Sequence, residues 1–72
     1  MAATPKSPVE EIGAAAGAVW KMLDKKGPLS IAKLVKAVGR PRDTVMQGVG
    51  WLAREDKVQI EEDGRSRVVS LR

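Results

Sequence analysis

Residues 39–57, GRPRDTVMQGVGWLAREDK, decide the fold. Within this stretch Val45, Val49 and Leu52 recur at i, i+4 and i+7, the spacing of a single buried helical stripe. Stepping about 100° per residue places Gly48 beside that stripe. Asp43, Gln47, Gly50 and Arg54 then point outward, and Thr44 and Trp51 share one flank. The spacing predicts a helix over 42–55. Gly39-Arg40-Pro41 supplies the turn before it, with Pro41 at or just before the first helical residue, and Asp56 tolerates a left-handed exit. Gly48 and Gly50 each cost the helix about 1 kcal/mol relative to Ala. Gly48 fits the close approach of another helix; the outward Gly50 has no such account.

Working towards the N-terminus, Ile31, Leu34, Val35 and Val38 follow i, i+3, i+4 and i+7 without a fault. They predict a helix over 31–38, capped by Ser30 and ended by Gly39 in the left-handed region. Lys33 and Lys36 point away from its stripe. Pro28-Leu29 is a short extended link that can form a first, minor strand. Before it, Ser7-Pro8-Val9-Glu10 reads as a helix start with a capping box, and Gly27-Pro28 as its stop. The predicted helix over 8–26 buries Val9, Ile12, Ala16, Trp20 and Leu23, with Val19 at one edge. Its opposite face carries Ala14, Ala15, Ala18 and Met22 among Glu11, Lys21 and Lys25, with Gly13 and Gly17 as two smooth points. A flat, weakly apolar face of this kind suits a partner or a second copy of the chain. Residues 1–6 are expected to form a flexible tail, and residues 7–72 a single domain.

Towards the C-terminus, Val58 and Ile60 alternate with polar neighbours, Asp63-Gly64 is a two-residue turn signal, and Val68, Val69 and Leu71 return. A turn at 63–64 sets Glu62 opposite Arg65, Ile60 opposite Arg67 and Val58 opposite Val69. One face of this hairpin then carries Val58, Ile60, Val69 and Leu71 towards the helices. The expected class is mainly α with a small antiparallel β wing, in the order α-β-α-α-β-β.

Composition narrows the function. At 72 residues the chain sits near the lower limit for a self-sufficient core, and nine of its hydrophobic residues are Ala. It has no His, Cys or Tyr, which removes thiol nucleophiles, histidine bases and the usual zinc sites. The clusters Glu10-Glu11, Glu55-Asp56 and Glu61-Glu62-Asp63 fall at a helix start, a helix end and a turn, where exposed carboxylates are ordinary. No phosphate-cradling glycine loop is present. No catalytic residue, metal site, cofactor or small-molecule site stands out, and the chain reads as a non-enzyme. No stretch is long and apolar enough for a membrane span. A net charge of +4 permits an anionic partner. Residues 27–58 hold six bases against three acids, whereas the segment from Gln59 onward balances three Arg against three acids.

The strings Ser30-Ile31-Ala32-Lys33-Leu34, Asp43-Thr44-Val45 and Gly50-Trp51-Leu52-Ala53-Arg54-Glu55 resemble those of small stand-alone prokaryotic winged helix-turn-helix proteins of unassigned function. The likeness extends over nearly all of residues 10–71. It implies a three-helix core with a wing, a cytoplasmic location and binding of double-stranded DNA, with a role in transcription regulation. In DNA-binding winged helices the start of the third helix enters the major groove and the wing follows the backbone. The resemblance therefore places Arg42, Asp43, Thr44, Met46 and Gln47 at bases or phosphates. Lys33, Lys36, Arg40, Arg65 and Arg67 are placed at the DNA backbone. The sequence departs from the pattern at Arg40-Pro41, where an apolar residue and a small polar cap are usual, and at the acidic wing tip. The alternative reading is a protein-interaction or homodimerisation module of the same fold, using Ala14, Ala15, Ala18, Met22 and Trp51.

Overall fold

Three helices and a three-stranded sheet follow one another as α1 (Pro8–Lys26), β1 (Leu29–Ser30), α2 (Ile31–Val38), α3 (Arg42–Arg54), β2 (Val58–Asp63) and β3 (Ser66–Leu71). The structure is a computed structural model describing residues 8–72, with Asp63 described in its backbone only. The expected tail and the proposed Ser7 cap lie outside the described residues. The expected order of elements holds, and α3 ends one residue short of the expected Glu55.

The helix ends follow from local chemistry. Gly27 and Gly39 adopt φ of 79° and 72°, and their N–H groups donate to the carbonyls of Leu23 (2.8 Å) and Val35 (3.1 Å). These are the left-handed caps that glycine accepts without steric cost. Asp56 leaves α3 at φ 61°, and the Lys57 N–H returns to the Leu52 carbonyl at 2.9 Å. Ser30 closes β1 and also caps α2, its Oγ accepting from the Lys33 N–H at 3.3 Å.

The core is aliphatic. Val19, Leu23, Leu34, Val45, Val49 and Val69 are fully buried, with Ile31, Leu52 and Val58 nearly so. Met22, Leu29, Val35, Val38, Met46 and Leu71 are half-buried against them. Val45, Val49 and Leu52 thus turn inward together. Helices α1 and α3 approach closely at Gly48. A Cβ placed there would stand 2.8 Å from the Ala16 nitrogen and 2.9 Å from the Ala15 carbonyl carbon.

That seam corrects the expected rotation of α1. Ala15, Ala16, Val19 and Leu23 form the buried stripe, whereas Val9 and Trp20 are exposed. At 100° per residue this is a turn of about 45° from the expected stripe. Helices approach most closely where side chains are smallest, so Ala15 faces Gly48 and the bulky Trp20 is displaced from the seam. Ala15, expected on the outward face, is fully buried.

The sheet runs in the order β1-β3-β2, all antiparallel. Leu29 pairs with Val69 and Ser30 with Val68. In the hairpin, Val58 faces Leu71, Ile60 faces Val69, Glu62 faces Arg67 and Asp63 faces Ser66. The expected register is therefore two residues out. The turn is centred on Gly64-Arg65, with Gly64 at φ 62° in the first central position that type II′ turns reserve for glycine. Because the side-chain period is two, a two-residue shift keeps every side chain on its expected face. Val58 and Val69 are buried as expected, while Ile60 remains exposed. No helix among the described residues is long and apolar enough to cross a membrane.

Candidate nucleic-acid interface

The first turn of α3, the wing turn and the start of α2 meet around a cleft of about 390 Å³. Arg42 and Met46 line it from α3, Arg65, Ser66 and Arg67 from the wing, and Ser30, Ile31 and Ala32 from the α2 entrance. Arg42 and Met46 are one helical turn apart, so both look to the same side. Met46 is half-buried against the core and anchors that side of α3, while Arg42 is exposed. Gly64 sets the turn that brings Arg65 to the cleft, and the pleat of β3 brings Arg67 there two residues later.

Three arginines therefore line one concave surface. The entrance of α2 adds to their field, since a helix N-terminus presents unsatisfied N–H groups and a partial positive charge. No acidic residue lies in the first turn of α2 to offset it. Opposing this, Glu62 sits 3.8 Å from Arg67 across the strand pair, with both side chains largely exposed. The expected pairing of Glu62 with Arg65 is thus replaced by Glu62 with Arg67, leaving Arg65 out of that pair. Arg72, the third arginine of the hairpin, forms an ion pair with Asp56 and lines a different groove.

Of the residues marked in the sequence for a DNA face, the cleft brings together Arg42, Met46, Arg65 and Arg67. Lys33 and Lys36 are exposed on α2, Arg40 is exposed in the turn, and Asp43 and Gln47 are exposed on α3. Thr44 is half-buried. None of these six lines the cleft. Ser30, Ala32 and Ser66 also line the cleft, with no signal in the sequence to mark them. Their shared location depends on β1 pairing with β3, for which the short Leu29–Ser30 strand carries no alternation to read.

The residues marked for a partner do not form one surface. Ala15 is buried, Met22 is half-buried against the core, and Ala14 and Ala18 are half-buried. Trp51 lies instead in a groove with Gly13, Gly17 and Trp20, on the other flank of α1 from Ala14 and Ala18 by the 100° progression.

Comparison with known proteins agrees with the architecture. The Uncharacterized protein MJ1608 of Methanocaldococcus jannaschii is 33% identical over 64 residues, covering 86% of this chain and 91% of that one. BpsR of Bordetella bronchiseptica, solved to explain regulation of its DNA binding by 6-hydroxynicotinic acid, superposes with a TM-score of 0.76 at 26% identity. That match covers 82% of this chain, which spans about half of BpsR (47%). The ArsR family transcriptional regulator RHA00566 superposes over 100% of this chain and 77% of its own, with a TM-score of 0.64 at 22% identity, a likeness of fold. The model of the winged helix-turn-helix domain DUF2582 matches residues 7–71, and with three helices, a short β1 and a β2–β3 wing in the order that name describes, the chain belongs to this family.

Proposed function

We propose that this chain binds double-stranded DNA as a transcription regulator and is not an enzyme, acting in the cytoplasm. The observation that carries this reading is the convergence of Arg42, Arg65 and Arg67 on one cleft beside the α2 entrance. Phosphate groups are what such a cleft is suited to hold: guanidinium pairs phosphate oxygens through two parallel hydrogen bonds, and a helix N-terminus favours an anion. With the backbone gripped there, the exposed face of α3 presents Gln47 to base edges, where Gln suits adenine. The likeness to BpsR, a protein whose DNA binding is regulated, supports the same reading.

A labelled mixed-sequence duplex titrated by fluorescence anisotropy tests it. If the three arginines neutralise three phosphates, affinity falls with a log–log salt slope of about −2.7, or about 40-fold between about 50 and 200 mM salt. Arg42→Ala combined with Arg65→Ala reduces the slope to about −1. Binding that is absent at low salt, or a slope unchanged in the double variant, overturns the reading.

A further inference from the structure

A second concavity lies at the other end of α3. Trp20 and Trp51, the two aromatic residues of the chain, both line a groove of about 610 Å³ between α1 and the segment that ends α3. They are 39% and 48% exposed, so a large share of each indole meets solvent instead of filling the core. Gly13 and Gly17 also line the groove, and a Cβ at either would meet nothing within 4 Å. Each costs α1 about 1 kcal/mol relative to Ala, yet no part of the fold uses the space it leaves. Lys21 and Lys57 complete the lining together with Asp56 and Arg72. Asp56 is engaged by Arg72, and the ion pairs among the described residues leave the two lysine ammonium groups without a carboxylate.

We propose that this groove binds a small planar aromatic carboxylate. Its ring stacks on Trp20 and Trp51 over the bare backbone at Gly13 and Gly17, and its carboxylate meets Lys21 or Lys57. The volume falls within the range of about 300–1,000 Å³ usual for small-molecule sites, which join aromatic walls to a few placed polar groups. Charge selects an anion, because the lining carries three cations against one carboxylate already engaged. The C-terminal, negative end of α3 opposes this attraction, and it does so more strongly for a phosphate dianion than for a monoanionic carboxylate. A second copy of the chain is a poorer occupant. A two-fold contact through this groove would set its cationic rim against itself.

The protein offers a direct readout, since its two indole N–H groups belong to the two groove tryptophans. In a ¹⁵N–¹H correlation spectrum they give two resolved side-chain signals, to be followed during titration with 4-hydroxybenzoate and with its neutral analogue 4-hydroxybenzamide. Both signals are expected to shift together with the acid, with a Kd at or below about 6 mM, the affinity about ten non-hydrogen atoms reach at ordinary ligand efficiency. The amide, and the acid with the Lys21→Gln, Lys57→Gln double variant, are each expected to bind about tenfold more weakly. Gly17→Leu, at an open position the fold tolerates, fills the floor and abolishes the response to the acid. The proposal is overturned if the acid produces no saturable shift, or if the amide binds as well as the acid. It is equally overturned if the indole signals move with protein concentration alone while sedimentation shows a dimer. None of these outcomes bears on DNA affinity.

Discussion

Replacing Gly48 by Ala probes the seam between α1 and α3. The added Cβ would lie 2.8 Å from the Ala16 nitrogen, 2.9 Å from the Ala15 carbonyl carbon and 3.1 Å from the Ala15 Cβ. The first two are main-chain atoms of α1 and cannot rotate away, so one helix must move. Two effects oppose each other. Exchange of Gly for Ala inside a helix gains about 1 kcal/mol, whereas overpacking a filled interface costs about 1–3 kcal/mol. Contact with backbone puts this site in the upper part of that range, for a net loss of about 1–2 kcal/mol. A chain of this length has a total stability of about 4–11 kcal/mol. At about 4–8 °C per kcal/mol for domains of this size, Tm should fall by about 5–15 °C. Gly50→Ala is the internal control. It lies two residues further along the same helix with nothing within 4 Å of its Cβ, so it should gain about 1 kcal/mol unopposed. Urea and thermal unfolding followed by circular dichroism measure both. Gly48→Ala proving as stable as Gly50→Ala would refute the close approach of α1 and α3 at this point.

Three further outcomes follow from the same structure. Leu34→Ala, at a fully buried position, should cost about 2–5 kcal/mol in urea unfolding; a loss below 1 kcal/mol would place Leu34 outside the core. Gly64→Ala forces a left-handed φ on an L side chain and should cost about 1–2 kcal/mol, with the largest amide shifts confined to β2 and β3. An unchanged Tm would contradict the turn assigned to Gly64-Arg65. Glu62→Gln should change stability by less than about 1 kcal/mol, because its pair with Arg67 is exposed. Removing that negative charge should tighten duplex binding and steepen its salt slope; affinity and slope both unchanged would exclude the wing from the interface.

The periodic parts of the sequence were the legible ones. α2 announces itself through an unbroken apolar spacing with Ser30 and Gly39 at its ends, and α3 through Val45, Val49 and Leu52. What escaped is set by contacts between elements. Apolar size alone assigns Trp20 to the buried face of α1, but the glycine at 48 demands the small Ala15 there. That requirement becomes visible only once the two helices are in register. The hairpin turn misled for a local reason: Asp63-Gly64 suggests glycine in second place, while the chain uses Gly64 in first place. The shift of two residues spared the faces but moved Glu62 from Arg65 to Arg67, and so altered which arginine the cleft shares with a carboxylate. The candidate interface was half legible. Arg42 and Met46 share a face by helical spacing, but their meeting with Arg65, Arg67 and Ser30 depends on β1 pairing with β3.

Mapping the backbone amide shifts of the protein on addition of a short DNA duplex locates the DNA-binding face directly. Binding of DNA at the cleft of Arg42, Arg65 and Arg67 should perturb signals clustered at residues 30–32, 42–47 and 64–67. Perturbations confined to residues 13–21 and 51–57, around the two tryptophans, or no perturbation at low salt, would contradict it.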